Sequence, residues 1–239
     1  MIKLDILAIG VHPDDVELGC AGTLLKHIEM GKKVGILDLT RGELGTRGSG
    51  SLRVKEAEAA KKMMGALVRD NVKMKDGFFQ HTEENLKKIA QVIRKYQPEI
   101  VLANALSDRH PDHGRAAKLT SDACFIAGLA KVKTYDKKEL QERWRPKAVY
   151  HYIQDHTLYP DFVVDISPYM DKKLDVVLCF KSQFFNPKSN ELDSPISNKG
   201  FLDSVKAKSS VYGRIIGVNF AEGFNVARPI GITNLFDII

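Results

Sequence analysis

The sequence predicts an α/β fold of Rossmann-like type, a largely parallel sheet flanked by helices, with the active site at the carboxyl ends of the strands. Three features lead to this reading. Short apolar runs alternate with longer helical patterns through the first half of the chain, the arrangement of βαβ units. Each strand-like run ends in a loop of polar or glycine residues, at His12 to Asp15, Gly42 to Gly50 and Ser107 to His113, and such loops line the ligand crevice of open α/β sheets. No Ser- or Pro-rich linker, internal repeat or low-complexity tract interrupts the 239 residues, so one domain over residues 1–239 is expected.

Leu4 to Gly10 reads as a buried strand because its apolar run is short and ends in a polar cluster. Val16 to Met30 follows as a helix closed by Gly31. Lys33 to Thr40 is the second strand, and a loop holding Gly42, Gly45, Gly48 and Gly50 leads into a helix from about Leu52 to Met64. A short extended piece spans Val68 to Met74. Glu83 to Tyr96 is an amphipathic helix, with Thr82 as its cap, that stops before Pro98. Glu99 to Ala105 is another apolar strand. The second half is less regular: a helix from about Arg115 to Ala130, a basic connector from Lys131 to Lys147, and extended runs at Ala148 to Gln154 and Phe162 to Ile166. Helices near Pro168 to Phe184 and Gly200 to Ile216 precede a tail containing Gly and Pro.

Composition excludes several classes. Hydrophobic residues make up 44% and charged residues 28%, enough apolar mass for a sizeable core. No apolar run approaches the ~18 residues needed to span a bilayer, and the start lacks the pattern of a signal peptide, so a cytoplasmic protein beginning at Met1 is expected. Cys20, Cys124 and Cys179 are too few and too scattered for a disulfide framework or a Cys-based zinc cluster, and read as buried free thiols. The net charge of +6 hints at an acidic partner. Residues 131–147, however, hold seven Lys or Arg against three Asp or Glu, so +4 lies in one connector that reads as solvated surface. Without a basic-aromatic repeat or nucleic-acid module, no nucleic-acid partner is expected.

Two segments carry unusual chemistry: His12-Pro13-Asp14-Asp15 after the first strand and His110-Pro111-Asp112-His113 after Glu99 to Ala105. His12, Asp15 and one His of the second segment could form a two-His, one-carboxylate metal site. Three protein ligands leave one position open, as a catalytic zinc requires, and a metal there lowers the pKa of a bound water to about 7. Asp14 is then free to act as general base. The other His could stabilise a developing oxyanion, with Asp112 orienting it. Either segment alone could be a capped helix start or a solvated turn. Both together, on adjacent strands, point to a metal site.

These motifs, continued through Glu17-Leu18-Gly19-Cys20 to Gly22-Thr23, resemble those of the LmbE-like, or PIG-L, family of zinc-dependent N-acetylglucosaminyl deacetylases. The likeness extends to Thr40-Arg41-Gly42-Glu43, Asp76-Gly77 and Ala221-Glu222-Gly223-Phe224, with Ala21 standing where many members have Gly. It implies that His12, Asp15 and His113 bind Zn2+ (Fe2+ suits the same donor set), that Asp14 is the base, and that His110 stabilises the tetrahedral intermediate with Asp112 behind it. It implies a hydrolase acting on an acetylated amino sugar, and a homo-oligomer, trimer or hexamer. The bacillithiol-biosynthesis deacetylases, acting on N-acetylglucosaminyl malate, share the stretch Thr40 to Gly48 and arginines at the positions of Arg53 and Arg109. Arginines suit the malate carboxylates as bidentate partners. A chitooligosaccharide, a lipid-linked sugar, or a thiol conjugate cleaved as an amide are the alternative substrates, and a sugar-binding domain retaining the fold is the non-enzyme alternative.

The loop Gly42 to Gly50 matches neither dinucleotide nor P-loop spacing. It reads as a mobile turn over the sugar, with Glu43, Arg47 and Arg53 as candidate contacts, solvated charge being the alternative for Glu43, and with Arg109, just before the second motif, as a further one. His27, His81, His151 and His156 read as surface or core histidines, Tyr150, Tyr152 and Tyr159 as core, and Asn104 and Ser107 as supports of the second motif.

Overall fold

The computed structural model describes residues 2–237. Its strands are β1 (Ile6–Gly10), β2 (Val34–Asp38), β3 (Val68–Asn71), β4 (Ile100–Ala103), β5 (Tyr135–Asp136), β6 (Glu139–Leu140), β7 (Ala148–Tyr152), β8 (Phe162–Asp165) and β9 (Ala221–Val226). The α-helices are α1 (Asp15–Glu29), α2 (Gly50–Met64), α3 (Glu83–Tyr96), α4 (Pro111–Ala127), α5 (Met170–Val177) and α6 (Phe201–Ile215).

Seven strands form one sheet in the order β3-β2-β1-β4-β7-β9-β8. Neighbours from β3 to β7 pair in parallel, and β9 runs antiparallel to both β7 and β8. All five residues of β1 are buried, as its unbroken apolar run requires of a parallel strand covered on both faces. Helices α3 and α4 cover one face, where Ile89, Ile93, Leu119 and Ala123 pack with Leu7, Ile9 and Val101. The other face carries α1, α2 and α5, with Leu24, Ala60 and Val176 packed with Ile6, Ala8 and Ile36. From β1 the chain proceeds to one side through β2 and β3, then returns to place β4 on the other. The order reverses between β1 and β4, so a crevice opens at their carboxyl ends and the two His-Pro-Asp segments face each other across it.

Helix α1 is broken at Cys20, where φ is −149°. The break frees backbone groups that a buried ion pair takes up. Glu222 of β9 accepts from Gly22 N at 3.0 Å and Thr23 N at 2.7 Å, while Lys173 of α5 donates to Leu18 O at 2.8 Å and pairs with Glu222 at 2.7 Å. Gly19 is required here: a Cβ would lie 2.2 Å from the ring of Tyr152. Glu17 is buried and tied to Arg69, which also holds Asp38 at 2.7 Å, so its place in the motif is architectural.

Four expectations need correction. Helix α4 starts at Pro111, ahead of Arg115, because proline fits the first helical position, where no N–H is needed; His113 therefore stands in its first turn. The tail contains β9, in the middle of the antiparallel half of the sheet; Glu222, Gly223 and Asn225 mask it as a strand. The helix expected over Pro168 to Phe184 is a 3-10 turn at Ser167–Tyr169 followed by α5, which ends at Val177. The connector 131–147 contains the hairpin β5–β6, turned by Lys137 and Lys138 at φ 47° and 74°; its seven basic side chains are exposed, as solvated surface should be. Thr82 caps α3 through Asn85 N, His151 is a satisfied core histidine, and the three cysteines are free, Cys20 and Cys124 buried but Cys179 only partly so. Tyr159, expected in the core, is exposed because it falls in the loop between β7 and β8. Among the described residues no helix is long and apolar enough to cross a membrane.

Candidate metal centre and active site

The turn after β1 is shaped by two departures from ordinary helix-start chemistry. Asp14 stands at the N-cap of α1 with φ 120°, a conformation costing a non-glycine residue about 1–3 kcal/mol, and its side chain caps nothing. Asp15 instead turns back and accepts from His12 N at 2.9 Å. The helix-cap reading of His-Pro-Asp-Asp therefore does not hold, and both carboxylates are left for chemistry.

Across the crevice, His110 caps α4: its Nδ1 accepts from Asp112 N at 3.2 Å. One turn on, His113 Nε2 lies 3.2 Å from Asp15 Oδ1, while Asp15 Oδ2 lies 3.7 Å from His12 Nδ1. His12, Asp15 and His113 are all buried. The three imidazoles sit together, His110 centred 4.7 Å from His12 and 5.2 Å from His113. Nitrogens of His12, His110 and His113 lie within 4.8 Å of one another, as do the donor atoms of His12, Asp76 and Asp112. Of the sequence-predicted ligands, His12 and His113 thus share a donor cluster with His110, and Asp15 stands outside both clusters but bridges the two imidazoles pairwise, one oxygen toward His113 and the other toward His12.

Asp76 and Asp108 supply charge that the sequence reading did not assign. Asp76 Oδ1 is 3.0 Å from His12 Nε2, and Asp108 Oδ2 hydrogen-bonds His113 Nδ1. A lone Asp in a loop carries no signal of this, although Asp76-Gly77 is part of the resemblance. Asn104, expected as a support, donates to Asp15 Oδ2 at 3.0 Å; Ser107, expected as another, is exposed.

The electrostatics suit a cation. Burial opposes charge on His12, but Asp112, Asp76 and Asp15 outweigh it and raise its pKa to about 9. His113 follows the same balance against Asp15 and Asp108, reaching about 10. Carboxylates that hold imidazoles this basic are in excess, and a nitrogen-and-oxygen donor set of this kind fits a divalent metal. Burial pushes Asp14 up to about 7, with Arg53 opposing. Burial holds His110 below the usual histidine range, so its neutral form is favoured. Because its Nδ1 is an acceptor, the ring proton sits on Nε2.

The substrate-side expectations divide. Arg47, Arg53 and Arg109 line the cavity of about 380 Å³ that opens over the cluster, but Glu43 does not; its carboxylate accepts from Arg41 N at 3.1 Å and Asp76 N at 3.2 Å. Arg53 is turned onto Asp14 and the Pro13 carbonyl, under Gly42, where a Cβ would meet its guanidinium at 2.2 Å. Arg109 pairs with Asp155 at 2.5 Å. Asp112 does not back the His110 ring with its carboxylate; Oδ2 accepts from Gly77 N and Oδ1 from Arg115, each at 2.9 Å. The loop at 42–50, expected to be mobile, is tethered through Leu44 N to Asp76 and Gly48 N to Glu191. The far wall, Ile196, Phe201, Val205, Lys208 and Tyr212, comes from α6 and the segment before it.

Comparison with known proteins follows this geometry. Residues 7–124 match the PIG-L family, described as GlcNAc-PI de-N-acetylase. Diacetylchitobiose deacetylase of Thermococcus kodakarensis is 31% identical over 237 residues, covering 94% of this chain and 84% of that protein. The conserved protein TT1542 of Thermus thermophilus superposes with a TM-score of 0.86 at 35% identity, covering 98% and 99% of the two chains. A 4-oxalmesaconate hydratase of Pseudomonas putida is 27% identical, covering 74% of this chain and 73% of its own.

Proposed function

The chain belongs to the PIG-L family of GlcNAc-PI de-N-acetylases, and from that membership we propose that it is a metal-dependent amidohydrolase that removes acetyl from an N-acetylglucosamine conjugate. The observation that carries this is the placement of Asp14. It caps no helix, has Arg53 as its ion-pair partner, and is buried at the mouth of a His-Asp cluster, where an amide hydrolase needs its base.

His12, Asp15 and His113 would hold the metal, zinc in our reading, with iron(II) as the other ion the donor set suits. When bound, it supplies a Lewis acid and an activated water. Asp14 takes the proton of the attacking water and returns it to the departing amine. Arg53 touches Asp14 and works against burial, favouring its anionic form. His110, neutral and protonated on Nε2, donates to the oxygen of the acetyl group as negative charge develops there. Asp112 fixes that donor through its backbone N–H, which occupies Nδ1. Asp108 and Asn104 orient His113 and Asp15.

For the aglycone we infer malate, as in N-acetyl-α-D-glucosaminyl L-malate of bacillithiol biosynthesis. The support is Arg47 in the cavity wall beside apolar side chains, with Lys208 and the Asp155-paired Arg109 adding positive charge nearby. A diacetylchitobiose-type substrate is the second reading, favoured by the Thermococcus relative. Acetate release from both compounds, with wild type and Asp14→Ala, tests the proposal. The malate conjugate turned over faster is the expected result; preference for diacetylchitobiose selects the second reading, and an unaffected Asp14→Ala overturns the assigned base.

A further inference from the structure

The loop that leaves β7 carries three successive residues, two of which reach the metal cluster or its supports and one the residue flanking it. The Gln154 carboxamide has its orientation fixed by chemistry: Oε1 accepts from Asn104 Nδ2 at 2.9 Å and Ala105 N at 3.1 Å, which leaves only its NH2 to face the cluster. That NH2 donates to Asp15 Oδ1 at 3.0 Å and stands 3.4 Å from His113 Nε2. Asp155 pairs with Arg109, the residue just before His110. His156 N donates to Asp108 Oδ1 at 2.6 Å, and Asp108 in turn holds His113 Nδ1. Asp15 and His113 are therefore both oriented from this one loop.

The loop has little structure of its own. Asp155 and His156 are exposed, and β7 ends at Tyr152. It is fastened from across the cavity by Lys208 of α6, whose half-buried ammonium donates to the carbonyls of both Gln154 and Asp155. Lys208 touches no proposed ligand. It holds the backbone of a residue that does.

We propose that Gln154 is a positioning residue for the metal centre and that Lys208 is the latch that keeps it there, so that α6, a wall of the substrate cavity, sets the geometry of Asp15 and His113. The inference rests on the metal site proposed above. It also gives the lysine a role distinct from charge: two N–H donors spent on successive carbonyls clamp the loop, and any shift of α6 is passed to the carboxamide through a single backbone unit.

The test is zinc affinity by competition with a chromogenic chelator, on wild type, Gln154→Leu, Lys208→Met, Lys208→Arg and the double variant Gln154→Leu/Lys208→Met. Metal-free thermal unfolding serves as the folding control. Removing a residue that orients a metal ligand typically weakens binding 10–100-fold, so Gln154→Leu is expected to raise the zinc Kd by about 10-fold or more. Lys208→Met raises it in the same sense, Lys208→Arg restores it, and the double variant is no weaker than Gln154→Leu alone, because the latch acts only through Gln154. A wild-type Kd in Lys208→Met, or losses that multiply in the double variant, overturns the latch. A wild-type chain that takes up no stoichiometric zinc overturns the metal site itself, an outcome distinct from both.

Discussion

Arg53 Nη2 lies 2.8 Å from Asp14 Oδ2 with both side chains buried, yet the carboxylate oxygen has no aligned hydrogen bond. The guanidinium therefore acts on Asp14 as charge more than as a donor. A positive charge at this distance lowers a carboxyl pKa, and here it works against burial, which pushes Asp14 up to about 7. The base must be ionised to act, so activity rises with pH through its pKa. Arg53→Met removes the opposing charge and should move the acid limb of the kcat/KM profile to higher pH, by about one unit or more. An unmoved limb would separate Arg53 from the base.

Asp14→Asn keeps the size of the side chain and its strained backbone while removing proton transfer. General-base catalysis contributes about 10²–10⁴-fold, so kcat should fall by that factor with zinc content unchanged by elemental analysis. Loss of metal together with activity would place Asp14 among the ligands instead.

Asp108 is a sharper probe of the centre than a ligand itself. His113→Ala should abolish stoichiometric zinc. Asp108→Asn leaves every proposed ligand in place, keeps a side-chain oxygen for His156 N, and removes the carboxylate charge that partners His113 Nδ1. Zinc affinity should drop about 10–100-fold, read by chelator competition. Wild-type affinity would show that His113 needs no such partner.

These tests divide between residues the sequence exposed and residues it concealed, and the division has a physical cause. His12, Asp14, Asp15, His110 and His113 were legible because two polar segments interrupt apolar runs, and the parallel pairing of β1 with β4 makes those interruptions neighbours. Strands β1, β2 and β4 were legible for the same reason, whereas β3, Val68–Asn71, showed only as a short extended piece because it is polar and half-buried. Asp76, Asp108 and Gln154 each enter the site singly from a loop, and only the tertiary fold decides where a lone polar residue points. Arg53 shows the converse: its position in the chain is equally consistent with substrate and with Asp14, and Gly42, by leaving room for the guanidinium, is what turns it inward. Strand β9 escaped because Glu222 and Gly223 are poor strand residues retained for other work, Glu222 to receive the freed N–H groups of α1 and Gly223 to let Tyr212 and Ile153 approach.

The buried pair of Lys173 and Glu222 makes the last prediction, and it follows from the break in α1. Glu222 answers three donors, Gly22 N, Thr23 N and Lys173 Nζ, so Glu222→Leu leaves two N–H groups without it and the ammonium with only the Leu18 carbonyl, at the buried edge of the cavity. Breaking one partner of a buried ion pair typically costs about 3–5 kcal/mol, and urea unfolding should show a loss of that order. Lys173→Met removes the charge but leaves Glu222 on its two backbone donors, so its cost should be smaller. The double variant Lys173→Met/Glu222→Leu should be more stable than Glu222→Leu alone, since no unpaired charge remains. Strictly additive losses would mean that the carboxylate serves the helix break and the lysine independently, and that the two halves of α1 are held without the ion pair.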